Sequence, residues 1–150
     1  MLGQLNESQI ENLLKEQVTG RIGCQSQGEI YIVPINYVYR NGYIYGHSAE
    51  GKKIRMMREN PNVCFEVDNI QTVFRWQSVI VNGTYEEITD IEEKQQAMQG
   101  IIHRIMPLVN SPSGHPSHGI TENESDVGTS VELIVYRIRI GEKSGRFENG

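Results

Sequence analysis

Apolar residues recur along this chain in two periods, and the changes between them mark out the elements. Ile10, Leu13 and Leu14 fall at helical spacing, which predicts a helix over Ser8–Gln17. Glu11 is placed to complete a capping box with Ser8, and Thr19-Gly20 ends the segment. Period-two runs follow. Arg21–Cys24 reads as a first strand, and the polar Gln25–Glu29, containing Gly28, as a hairpin turn. Ile30–Tyr39 reads as a second strand rich in β-branched and aromatic residues. Pro34 lies inside it and cannot donate to a ladder, so the strand is expected at an edge or with an irregularity there. Asn41-Gly42 is a strong hairpin signal, and Tyr43–Gly46 is the third strand.

Ile54 and Met57 predict a helix over Gly51–Glu59, closed by Asn60-Pro61. In Asn62–Asp68, Val63, Phe65 and Val67 alternate with Cys64 and Glu66; in Val73–Ile88, Val79 and Val81 oppose Ser78, Ile80 and Asn82. Gly83 is expected at a bulge or a close approach. Asp90 caps a helix to Met106, with Glu92 and Glu93 in its first turn and Ala97, Ile101, Ile102 and Met106 as its apolar stripe. Residues 107–128 form a Ser-, Pro-, Gly- and His-rich loop, Ser130–Ile140 is the last strand, and 141–150 is a polar tail. Early hairpins without regular β-α-β alternation predict a mainly β, α+β domain spanning 1–150: a six-stranded antiparallel barrel with helices at its rims. A barrel so small is filled by its own side chains, so a ligand belongs on its outer surface or at an interface.

Composition narrows the function classes. The chain has 150 residues, 37% apolar and 22% charged, which suits one globular domain. A net charge of -5 argues against general affinity for nucleic acid or anionic membrane. No apolar run approaches the ~20 residues of a membrane span, and the N-terminus lacks the pattern of a secretory signal. A cytoplasmic location is expected, with Cys24 and Cys64 as buried free thiols.

The chemistry concentrates in Gly46-His47-Ser48-Ala49-Glu50-Gly51-Lys52-Lys53. A small-residue turn between strand and helix, with two lysines at the helix start, suits a phosphate, because free N–H groups and the positive dipole end face the anion. The stretch nearly matches a P-loop, but Lys53 stands where a Ser or Thr would hold magnesium. His115 and His118 lie in the 107–128 loop without cysteines or a patterned carboxylate, so no metal site is assigned.

The order and spacing of five segments carry a family resemblance. They are Thr19–Gly23, Tyr31–Tyr37, Ile44–Lys53, Asn60–Phe65 and Trp76–Gly83. Together they resemble the pyridoxamine 5'-phosphate oxidase-like proteins with the FMN-binding split barrel, and among these the nitroimidazole-resistance branch. The resemblance implies FMN as cofactor, a homodimer with FMN at the subunit interface, and oxidoreduction of a small molecule, with nitroaromatic compounds as a candidate class. It implies that Val33, Pro34, Ile35 and Asn36 line the flavin ring, and that His47, Ser48 and Ala49 face the ring or its ribityl chain. Lys52 and Lys53 would bind the phosphate, Gln77 and Ser78 would meet the polar edge, and His47 would be the catalytic candidate. Two alternatives stand beside this: a non-enzymatic flavin- or haem-binding protein, and a deazaflavin-dependent reductase. The C-terminal segment lacks the arginine pattern that the strict oxidases use for their substrate, which argues against vitamin B6 oxidation.

Overall fold

The computed structural model describes residues 1–108 and 133–150. The elements are β1 (Leu2–Gln4), α1 (Glu7–Glu16), β2 (Thr19–Ser26), β3 (Glu29–Asn36), β4 (Val38–Arg40), β5 (Tyr43–Ala49), α2 (Lys52–Glu59), β6 (Asn62–Thr72), β7 (Arg75–Ile88), α3 (Ile91–Ile105) and β8 (Leu133–Asn149), with a 3-10 turn at Met106–Leu108. The 107–128 loop, with His115 and His118, lies outside the described residues beyond Leu108, as does the expected strand start at Ser130.

All strand pairs are antiparallel, in the order β3-β2-β6-β7-β8-β5-β4, with β1 added on β8. The sheet curls into a split barrel, so that β3 and β5, distant in this order, approach one another. The described strands number eight rather than six. The run expected as one strand over Ile30–Tyr39 breaks at Tyr37, whose ring turns inward against Phe65 while its hydroxyl donates to the Leu14 carbonyl at 2.7 Å. Pro34 sits in β3, which is an edge strand as its missing N–H requires.

The expected tail 141–150 is instead the second half of β8. β7 is 14 residues long and pairs with β8 from Ile88↔Val135 to Arg75↔Asn149. The other edge of that distal half is sealed by β1, where Leu2 faces Glu148 and Gln4 faces Arg146. The ladder recruits a polar segment of low strand propensity because its partners' backbone groups need it. Gly83 does mark an irregularity, a register shift at Asn82/Gly83. Both two-residue turns, Gln27-Gly28 and Asn41-Gly42, have positive φ throughout, the geometry that matches strand twist.

Two apolar clusters result. The barrel interior holds Leu14, Ile22, Phe65, Val67, Val79, Val81, Tyr136 and Ile138, each at most 1% exposed. A second cluster lies between α3 and the outside of β8, where Met98 and Ile101 pack on Leu133 and Val135. The start of β8 is therefore buried on both faces. Cys24 is buried, but Cys64 is exposed, a correction to the expectation of two buried thiols. Gly23, not Cys24, pairs with Cys64, so pleat parity puts the two thiols on opposite faces of the sheet. No helix of the described residues is long and apolar enough to cross a membrane.

Tyr136 is fully buried, and among the described residues its hydroxyl has no hydrogen-bond partner. An unsatisfied buried hydroxyl opposes folding, so Tyr136→Phe is expected to raise stability by about 1 kcal/mol in urea denaturation.

Candidate functional site

The N-termini of the three described α-helices differ, and the difference singles out α2 as the candidate. Asn6, rather than Ser8, caps α1, accepting from Gln9 N at 2.9 Å while the Gln9 side chain accepts from Asn6 N at 2.8 Å. Asp90 caps α3, accepting from Glu93 N at 3.0 Å, and Glu92 and Glu93 occupy its first turn. α2 has neither device. Gly51 is its N-cap, no side chain caps it, and its first turn carries no acid but two lysines. Among the described residues, its positive dipole end and first N–H groups therefore have no capping side chain and no acid in the first turn.

That end opens on a cleft of about 350 Å³ between β3 and β5, lined by Thr19, Pro34, Ile35, Asn36, His47, Ser48 and Lys53. Pro34 and Ile35 form an apolar wall. Thr19 Oγ1 donates to Asn36 Oδ1 at 2.9 Å, which fixes that amide across the β2–β3 ladder. His47 is 7% exposed, held in β5 opposite Val135. Ser48 Oγ donates to the Ala49 carbonyl at 2.8 Å.

The two lysines separate. Lys53 lines the cleft half-buried, and burial holds its ammonium below the usual lysine range. Among the described residues no carboxylate pairs with it. Lys52 points away: its ammonium pairs with Glu29 and lies over the Tyr31 ring, 4.8 Å from the centroid. Consecutive helical residues diverge by roughly 100°, so one face cannot present both.

The cleft thus brings together Pro34, Ile35, Asn36, His47, Ser48 and Lys53 of the residues singled out from sequence. Val33 packs against the barrel interior, and Ala49 ends β5 at an exposed position. Gln77 lies on β7 opposite Phe147. Ser78 donates to Glu66 Oε2 at 2.8 Å, within an outer-face cluster where Arg21 reaches Asp68 at 3.2 Å and Glu66 at 3.5 Å. Burial, reinforced by Asp68, raises the Glu66 carboxyl above the ordinary value. Neither Gln77 nor Ser78 lines the cleft of this single chain. Thr19 was not among the expected site residues. Its dipeptide with Gly20 reads as a helix stop, and only the register opposite Asn36 places it in the cleft.

A larger depression of about 740 Å³ lies on the outer face of the sheet, lined by Gly23, Ile30, Ile32, Cys64 and Asn82 among others. Ile30 and Ile32 are 74% and 66% exposed there, and Ile80 on β7 is 43% exposed.

Comparison with known proteins agrees with this architecture. The profile of the family described as pyridoxamine 5'-phosphate oxidase matches residues 6–147. An uncharacterised protein of Rhizobium meliloti, RA0666, is 28% identical over 130 residues, covering 84% of this chain and 82% of its own. Among solved structures, an FAD-binding protein from Mesorhizobium loti superposes with a TM-score of 0.79 at 28% identity, over 99% of both chains. A proposed 5-nitroimidazole antibiotic resistance protein from Bacteroides thetaiotaomicron shares the fold with a TM-score of 0.74 at 23% identity, over 98% of this chain and 87% of that one.

Proposed function

The chain belongs to the pyridoxamine 5'-phosphate oxidase family, and from that premise we propose that it is a flavoprotein that holds FMN in the β3–β5 cleft for oxidoreduction of a small molecule. The observation that carries this reading is the uncapped, lysine-bearing start of α2 opening on a cleft with an apolar wall. The residues present fit the cofactor. A phosphate needs charge and N–H donors, which Lys53 and the first turn of α2 supply. A flavin ring needs an apolar shelf, which Pro34 and Ile35 form, and polar groups at its rim, for which Asn36, Thr19 and Ser48 are placed. The flavin, when bound, supplies hydride or electron transfer, while the chain supplies binding, orientation and exclusion of water.

Among the described residues His47 is the one titratable ring in the cleft wall, and it is buried in β5. In this reading it holds or passes a proton beside the reacting ring. His47→Ala is expected to lower reductase turnover at least tenfold while changing FMN affinity by less than about threefold. Stopped-flow reduction at full flavin occupancy measures this, and equal rates in both proteins would remove the catalytic role.

The outer face with Ile30, Ile32 and Ile80 is the surface proposed for homodimerisation, since single exposed isoleucines are common but a patch of them on one sheet face is an association signal. Closure of a second copy over this face would bring further groups toward a cofactor, Ser78 and Gln77 among the candidates. Substrates of the nitroaromatic class fit the family branch that the sequence resembles. Vitamin B6 oxidation fits poorly, because Arg137 and Arg139 in β8 are both taken up by Glu86, at 2.9 and 3.1 Å, and do not present a free pair to a substrate phosphate.

Mass spectrometry of the ligand released from native protein, with an absorbance spectrum, tests the reading. FMN and flavin bands support it. FAD, which the 28% identical Mesorhizobium loti protein is named for binding, would keep the flavin chemistry and change the cofactor. A Soret band or a deazaflavin would replace it.

A further inference from the structure

One ionic network touches the turn before α2 and has no part in the cleft itself. Arg58, in the last turn of α2, donates from Nη1 to Glu50 Oε1 at 2.6 Å. Its Nε and Nη2 donate to the two oxygens of Glu87 at 2.8 and 3.0 Å, a bidentate pair. Tyr85 donates its hydroxyl to the same Glu87 at 2.8 Å. Tyr85 is 7% exposed, and its ring lies 5.5 Å from that of the fully buried Tyr136. A continuous chain of contacts therefore runs from the barrel core through Tyr85, Glu87 and Arg58 to Glu50.

Glu50 sits between Ala49, the end of β5, and Gly51, the N-cap of α2. On the other side of the turn Lys52 is tied to Glu29 and Tyr31 of β3, and Glu50 itself is held through Arg58. A Cβ at Gly51 would meet nothing within 4 Å, and no side chain caps the helix. Most exposed ion pairs contribute little to stability, but the bidentate Arg58–Glu87 pair ties Glu50 to β7, the side of the turn that Lys52 does not hold.

We propose that Arg58 is a positioning residue for the anion end of the cleft: by holding Glu50 to the β7 rim through Glu87, it fixes the turn that presents Lys53 and the first N–H groups of α2. The proposal rests on the flavin reading above. Arg58 already faces two carboxylates, so its role is placement of the turn rather than attraction of an anion.

Glu50→Gln separates placement from simple charge. Removing a carboxylate near a phosphate strengthens phosphate binding if only charge matters, and weakens it if the carboxylate anchors the turn. FMN and riboflavin, which lacks the phosphate, are titrated into cofactor-free protein by flavin fluorescence, with thermal unfolding followed in parallel. Arg58→Ala is expected to weaken FMN about tenfold and riboflavin less than twofold; Glu50→Gln is expected to weaken FMN about fivefold, and Arg58→Lys to recover part of the loss. Glu50→Gln with unchanged or tighter FMN binding overturns the proposal. So does Arg58→Ala losing FMN and riboflavin equally, which would report a general loss of the site. A wild-type chain that binds neither flavin overturns the flavin reading and this one with it. Tight FMN binding by wild type and variants alike overturns this one only.

Discussion

Lys53→Ala is expected to weaken FMN binding roughly 30-fold, the equivalent of about 2 kcal/mol for a charge-assisted hydrogen bond. Riboflavin affinity should stay within about twofold, because in the proposed site the lost group would serve only the phosphate. Lys52→Ala should cost far less, about threefold, since its ammonium is committed to Glu29 and the Tyr31 ring. The pH dependence follows from burial, which holds the free Lys53 ammonium below the usual lysine range. Phosphate binds the protonated form, so FMN affinity should be full at neutral pH and fall as pH rises through that depressed value. The fall should begin at lower pH than for an ordinary lysine, and riboflavin should lack it. Titration calorimetry of both ligands from neutral to alkaline pH checks the limb. Equal losses in Lys52→Ala and Lys53→Ala would contradict the division of labour between them.

Gly46→Ala is expected to destabilise the fold by about 3 kcal/mol, lowering Tm by several degrees. Gly46 pairs with Tyr136 across β5 and β8, and an added Cβ would stand 2.6 Å from both the Cζ and the hydroxyl oxygen of that ring. Tyr136 is fully buried and packed on Tyr85, so neither ring nor strand yields cheaply. Any shift of β5 also moves one wall of the cleft against β3, so flavin affinity at the proposed site should fall together with stability. Gly51→Ala is the contrasting case. Its φ of -176 is ordinary extended backbone and its Cβ position is open, so stability should change by less than about 0.5 kcal/mol. Urea denaturation of both variants measures the difference. The two glycines that make this stretch look like a phosphate loop thus do different work: one leaves room for a core tyrosine, and the other is an unobstructed cap.

Much of the architecture was legible because local pattern and tertiary burial agree. Val63, Phe65 and Val67, or Val79 and Val81, alternate in sequence and are all buried in the barrel. The Asn41-Gly42 turn, the Asp90 cap and the Pro34 edge strand follow from backbone chemistry that acts over a few residues. The failures share a cause. Gly141–Asn149 has no apolar alternation, and it becomes strand because β7 offers a long unpaired edge. Tyr37 breaks the second strand because a distant carbonyl, that of Leu14, takes its hydroxyl. Asn6 rather than Ser8 caps α1, a shift of two residues that composition does not resolve.

The candidate site divides along the same line. Sequence alone determined that a strand ends in a small-residue turn, that a helix follows with lysines in its first turn, and that an apolar segment with proline lies upstream. Those are one-dimensional facts, set by residue identity and short-range geometry. Only the tertiary structure decided that Lys53 and not Lys52 faces the cleft, that Thr19 joins it, and that Ser78 turns to Glu66 instead. Each of those outcomes depends on a partner far along the chain, and the curl that brings β3 against β5 is what selects it. An ammonium goes where its nearest carboxylate or open cleft lies, and that distance is not written in the order of residues.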